Sequence, residues 1–188
     1  MNSEIVLIIV SSLWLGSEII LTRLMHSEAT DAQLDKSSIR ILWITILVSI
    51  TLGVLIGHQR IGYAEYGSQI FPIAGIILIV CGLIVRWIAI LSLKHQFTVD
   101  VSIRKDHRIV DEGIYRFVRH PSYSGSLLSF LGLGLCFSNY LSLLMVFAPV
   151  CSAFLYRIHV EEKALVQAFG SRYLDFCAKT KRLIPGIY

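Results

Sequence analysis

Long uncharged apolar stretches dominate the chain. Residues 5–22 are interrupted only by Glu18 and end at Arg23. Residues 41–57 carry no charge, residues 70–93 carry only Arg86, and residues 121–156 run uncharged for 36 positions. A membrane-barrel strand needs only about 10 residues, whereas an apolar helix needs about 20 to cross a hydrocarbon core of about 30 Å. Within lipid only helices and closed barrels satisfy their own backbone, so these lengths predict helices. As a single helix the last stretch would be roughly 54 Å long. It must double back, and Ser138, Asn139 and Tyr140 at its middle mark the turn. The predicted fold class is all-α: a polytopic transmembrane helical bundle of five spans, the last two a helical hairpin. A loop over 94–120 and a tail over 157–188 complete a single integral membrane domain spanning 1–188, with spans one to three in 1–93 and the hairpin in 121–156.

The tail has its own pattern. Val160, Ala164, Leu165, Ala168, Phe169, Tyr173, Phe176 and Cys177 recur at helical spacing, while Glu161, Glu162, Lys163, Arg172, Asp175 and Lys179 take the other face. This predicts an amphipathic C-terminal helix, with Gly170 as the residue that divides it. Gly53 and Gly57 form a small-xxx-small pair in the second span, a helix-packing face of the kind that also mediates dimers.

Composition sharpens the picture. Hydrophobic residues make up 55% of the chain, charged residues 16%, and the mean hydropathy is +0.68, against about 25% charged residues in soluble domains. A soluble enzyme and a disordered chain are both excluded. The start, Met1 to Glu4, has no basic segment, so a cleaved signal peptide is not expected. Cys81, Cys136, Cys151 and Cys177 include no CxxC pair. That argues against structural zinc and a disulfide framework, and no metal site is expected.

The formal net charge of +4 is a matter of topology. With the N-terminus outside, fifteen of the seventeen lysines and arginines fall in the inner loops and tail, Arg60 falls outside, and Arg86 lies within a span. Cytoplasmic segments carry such an excess, so the N-terminus is placed outside and the C-terminus in the cytoplasm. Nucleic acid is not needed to explain the charge. The polar segments 94–120 and 157–188 then share one face, where chemistry on soluble reactants belongs.

Ionisable groups inside a membrane point to function. Glu18 and Arg86 are the two here, and they either pair or reach the interface separately. The densest polar cluster occupies residues 106–125. Pro121 suits the first turn of a helix, which places Arg119 and His120 just before an N-terminus that favours anions. A carboxylate, a phosphate or a lipid headgroup would each fit. Arg157 and Glu161 lie four residues apart, on one helical face.

Arg86-x-x-Ala89, Phe97-Thr98-Val99, His107-x-Ile109-Val110, Gly113-x-Tyr115-Arg116 and Arg119-His120-Pro121-Ser122-Tyr123-x-Gly125 follow one another in order. Arg157-x-x-x-Glu161-Glu162, Phe169-Gly170-x-x-Tyr173 and Arg182-x-x-Pro185 complete the series. This ordered set resembles the isoprenylcysteine carboxyl methyltransferase family of integral membrane enzymes. The resemblance covers slightly over half of the chain. Departures are Leu93-Lys94 where many relatives have Leu-Gly, and Gly113-Ile114-Tyr115 where they have Gly-Pro-Tyr.

The resemblance implies a helical membrane bundle without a Rossmann domain. S-adenosylmethionine would reach it from the cytosol under the loop and tail, and a lipidic or prenylated methyl acceptor from the bilayer. It also implies a cofactor site built from His107, Arg108, Ile109, Val110, Tyr115, His120, Pro121, Ser122, Tyr123, Glu161 and Glu162. Arg157 would face the acceptor, with Arg119 a second candidate for holding it and Glu161 placed among the catalytic groups.

A carboxylate acceptor is ionised at neutral pH and needs only a cation to orient it. An amine acceptor needs a base such as Glu161, Glu162 or His120. Phospholipid N-methylation is therefore the first alternative activity. An NADPH-dependent sterol-type reduction is the second, since such membrane reductases share a similar Arg-x-Pro-x-Tyr-x-Gly turn, although the Glu161-Glu162 and Phe169-Gly170 tail argues against it. A non-enzymatic membrane partner protein is a third class.

Overall fold

The computed structural model describes residues 3–24, 32–35, 37–59, 61–93, 101–103 and 108–188. Six helices form the bundle: α1 (Ser3–Leu24), α2 (Ser37–Gly57), α3 (Ile70–Leu93), α4 (Pro121–Cys136), α5 (Tyr140–Phe169) and α6 (Ser171–Lys179). Single turns of 3-10 helix cover Glu65–Gly67 and Gly113–Arg116. Two short strands, β1 (Ala32–Asp35) and β2 (Val101–Ile103), pair antiparallel. The fold is all-α as expected, with one addition that the sequence did not announce: this ribbon ties the segment between α1 and α2 to the segment after α3. Four and three residues in polar loops are too short to leave a readable alternation.

α2, α3 and α5 are long and apolar enough to cross a membrane, and the apolar core of α1, Ile5–Leu21, is shorter. Their packing is that of helices in lipid. α3 turns Gly75, Ile79, Gly82, Ala89 and Ile90 inward, while Ile73, Ile77, Val80, Ile84, Ile88 and Leu91 are exposed along its other side. Large apolar groups outside and small ones at the seam are what association without a hydrophobic driving force favours. The chain is an integral membrane protein.

The α3–α4 seam is the closest in the bundle. A Cβ on Gly82 would stand 2.5 Å from the Gly125 carbonyl, and one on Gly132 would stand 2.5 Å from that of Gly75. The Gly53/Gly57 pair is used within the chain, since Gly53 faces Val146 and Ser142 of α5 and Gly57 faces Phe137. The sequence pattern was right about helix packing, and the partner helix is the chain's own.

The turn falls where the polar triplet predicts it. Ser138 adopts a positive φ of 49°. The Asn139 side chain caps α5 by accepting from the Ser142 N–H (3.0 Å), and its amide donates to the Ile61 carbonyl (2.9 Å). α5 then continues without a break through residues 156 and 157 to Phe169. The expected division between hairpin and tail therefore lies inside one helix, because nothing between Tyr156 and Gly170 breaks it. Gly170, at φ 56°, ends α5 and starts α6.

Candidate active site

The site is assembled where α4 begins and the last third of α5 passes it. Pro121 is the first residue of α4 and His120 its N-cap. The backbone N–H groups of Arg119 and His120 donate to the carbonyls of Lys181 and Arg182 at 2.8 and 3.0 Å. The C-terminal segment is thereby laid along the approach to α4, and α5 presents Arg157, Glu161 and Glu162 to the same place.

Three polar layers result. In the first, Glu162 is surrounded by cationic groups. Arg119 Nε donates to Oε1 at 2.9 Å, and Arg182 Nε and Nη2 reach Oε2 at 2.9 and 2.8 Å. His120 Nε2 lies 3.4 Å from Oε1. Arg119 also donates to the carbonyls of Cys177 and Thr180.

In the second layer, the Tyr123 hydroxyl donates to Glu161 Oε2 at 2.7 Å and accepts from Arg157 Nε at 3.0 Å. Arg157 Nη1 donates to Ser38 Oγ of α2 at 3.0 Å. The His120 ring stacks on Tyr123 at 5.5 Å between centroids.

The third layer pairs the two intramembrane charges. Arg86 Nε and Nη2 engage both oxygens of Glu18, at 2.6 and 2.7 Å. Its Nη1 donates to Ser122 Oγ at 2.9 Å and Ser126 Oγ at 2.8 Å. Of the two sequence alternatives, pairing is the one observed.

A cavity of about 280 Å³ opens beside the second and third layers. Trp14, Leu42, Trp43, Phe130 and Phe154 are among its apolar walls, and its charged lining residues are Glu18, Arg86 and Arg157. On α4 it runs from Tyr123 to Leu133 and on α2 from Ile39 to Ile50, about 15 Å at 1.5 Å per residue. The polar groups collect at the Tyr123 end. A separate polar cleft of about 560 Å³ separates the segment containing Ile109, Asp111 and Arg116 from α6, where Arg172, Asp175 and Lys179 face it.

The residues expected at a cofactor site are thus distributed. Ile109 lines the polar cleft, Val110 is half-buried and Arg108 exposed. Tyr115, His120, Pro121 and Ser122 are buried. Tyr115 donates to the Ala89 carbonyl at 3.3 Å, and burial, helped by the nearby Glu161 charge, pushes its phenol well above the usual range. It remains a neutral donor. Tyr123 and Glu161 join the polar end of the cavity to the Glu162 layer through His120. His107 lies outside the described residues. Arg119, expected as a second holder of the acceptor, is turned to Glu162 and the tail carbonyls and is absent from the cavity lining.

Sequence reasoning did not identify Arg182, Ser38, Ser122 or Ser126 as partners of the charged groups. Arg182 stood out only as the cation before Pro185, Ser122 only as a motif residue expected at the cofactor, and Ser38 and Ser126 carried no signal.

Glu162 lies beyond the uncharged stretch that ends at Tyr156. Burial alone would raise its carboxyl, but hydrogen bonds from His120, Arg182 and Arg119 outweigh that and hold it at about 2 instead of 4.5. A depressed carboxyl stabilises the fold fully above its unfolded value and loses that contribution as pH falls through the folded one. Thermal unfolding in detergent is therefore expected to show stability falling between about pH 4.5 and pH 2. Glu162→Gln should be less stable at neutral pH and should lose less stability than the native protein across that window.

The sequence profile of the isoprenylcysteine carboxyl methyltransferase (ICMT) family matches residues 75–167. Protein-S-isoprenylcysteine O-methyltransferase of Saccharomyces cerevisiae is 30% identical over 165 residues, covering 87% of this chain and 69% of the yeast protein. Protein-S-isoprenylcysteine O-methyltransferase B of Arabidopsis thaliana is 34% identical over 113 residues, covering 59% of this chain and 57% of that protein. Among solved structures, the eukaryotic intramembrane Ras methyltransferase ICMT superposes with a TM-score of 0.53 at 23% identity, over 81% of this chain and 53% of that one. This chain therefore spans little more than half the length of the Arabidopsis relative and of the solved structure. The helix seam, the α4 start and the α5 charges all fall inside the matched segment, and the chain belongs to the isoprenylcysteine carboxyl methyltransferase family.

Proposed function

We propose that this protein is a membrane-embedded methyltransferase that moves a methyl group from S-adenosylmethionine to the carboxylate of a prenylated cysteine or a similar lipid acid. The observation that carries this reading is the apolar cavity with Arg157 at its polar end. Its walls suit an isoprenoid chain, and the guanidinium suits the carboxylate at the end of that chain. Arg157 is held from two sides, by Tyr123 and Ser38, so it can fix the acceptor oxygen against the reacting carbon. Orientation and exclusion of water are what an in-line displacement most needs from a protein.

The donor set fits the cofactor. Glu161 offers a carboxylate and Tyr123 an aromatic face to a sulfonium, and half-buried Ile109 and Val110 offer apolar surface to a base. When bound, the cofactor supplies an electrophilic methyl group. Within the chain, Tyr123 couples Glu161 to Arg157 and so sets the position of both. Arg108, Tyr115, His120, Pro121 and Ser122 belong to the same proposed cofactor site.

An amine acceptor is less well served. Glu162 is enclosed by Arg119, Arg182 and His120, and Glu161 accepts the Tyr123 hydroxyl. Neither carboxylate is poised to take a proton from a lipid amine.

The topology follows from the charge asymmetry. Five spans, with α4 and α5 as the closing hairpin and the N-terminus outside, put the α4 start, the tail and the polar cleft on the cytoplasmic face. Purified protein incubated with S-adenosylmethionine labelled in the methyl group and N-acetyl-S-farnesylcysteine should yield a base-labile methyl ester. Label appearing instead in phospholipid headgroups would overturn the carboxylate reading.

A further inference from the structure

We propose that Glu18 is a built-in competitor for the acceptor's carboxylate, and that Arg86, which it covers, is a second carboxylate site in the cavity. This rests on the acceptor being a lipid acid. Glu18 lies on the Nε and Nη2 edge of Arg86, accepting a hydrogen bond from Nη2 and in ion-pair contact with Nε, and this is the edge a carboxylate would use. The remaining nitrogen, Nη1, is fixed by Ser122 and Ser126 of α4. The guanidinium is therefore oriented by groups that do not depend on Glu18. Both charged residues line the same cavity as Tyr123 and Arg157, so an acceptor carboxylate arriving there meets Arg86 as well as Arg157.

The two halves of the pair are anchored unequally. Arg86 belongs to α3, whose glycine seam with α4 is the closest contact in the bundle. Glu18 belongs to α1, which packs chiefly on α3 and presents Ile8, Leu13, Leu15, Ile19 and Ile20 to the outside. Exchange of carboxylates on Arg86 therefore moves the less constrained partner. With no acceptor present, Glu18 keeps a part-buried guanidinium compensated, a state that would otherwise be costly. When the acid arrives, the incoming group takes over that compensation, and the difference between the two pairings sets acceptor affinity.

The test is binding of N-acetyl-S-farnesylcysteine and of its methyl ester to the full-length protein in detergent. Glu18→Gln keeps the shape and removes the competing charge. It should tighten the free acid by about tenfold, because the part-buried guanidinium then lacks its carboxylate, and leave the ester unchanged. Glu18→Asp, which withdraws the carboxylate by one methylene, should move the same ratio in the same direction by less, and serves if the glutamine variant does not fold. An acid-to-ester ratio equal to the native protein's in the variant measured would overturn the proposal, as would a weaker acid. Failure of the native protein to bind the free acid at all would instead overturn the acceptor assignment, a separate result.

Discussion

Replacing Arg157 with glutamine is expected to lower kcat/KM for a prenylated cysteine acid by about 10³, close to 4 kcal/mol of transition-state stabilisation. Two contributions combine. The acceptor loses the cation that orients it, and the Tyr123 hydroxyl and Ser38, both bonded to this guanidinium, lose the group that links α4 to α2. Arg157→Lys should recover little, because a point charge cannot serve two fixed donor directions. Steady-state methyl transfer gives the size of the loss. Binding of S-adenosylhomocysteine, retained in the variant, would separate an acceptor role from a general collapse. Loss of both together would show that Arg157 holds the fold and not the acceptor.

The second large effect is structural. Gly82→Leu should abolish folded protein. Gly82→Ala should cost about 3 kcal/mol, the upper range for overpacking, or on the order of 10 °C in Tm for a chain of this size. A Cβ there meets the Gly125 carbonyl at 2.5 Å as well as Ser129 Oγ, and backbone cannot step aside as a side chain can. Separating α3 from α4 would also pull Arg86 from Ser122 and Ser126. Gly16→Ala is the control, since a Cβ there meets nothing within 4 Å. Thermal unfolding in detergent checks the pair, and equal stability for Gly82→Ala and the native protein would contradict the seam.

These expectations show where the sequence was informative. Uncharged length predicted α2 and α3, the polar triplet predicted the turn at Ser138, and Pro121 predicted the start of α4. Each of these signals is local, which is why it could be read. Glu18 and Arg86 were visible as misfits in lipid, but the sequence left open whether they pair, and only the structure joins them. The rest depends on packing. Nothing in the sequence distinguishes Ser38 and Ser126 from other serines, and Ser122 was read only as part of a cofactor motif, yet each ends on a guanidinium. The cavity has no sequence signature, since it is space left between α1, α2, α3, α4 and α5. The resemblance offered Arg157 as the first acceptor cation and Arg119 as the second. In the structure Glu162 draws Arg119 and Arg182 together, while Arg157 lines the cavity.

The most direct test of the methyltransferase reading is calorimetric titration of the detergent-purified protein with S-adenosylhomocysteine, with NADPH in parallel and with Glu161→Ala as the variant. Saturable binding of S-adenosylhomocysteine, weakened in Glu161→Ala and unmatched by NADPH, is the predicted result. Binding of NADPH alone would contradict it and point to a reductase.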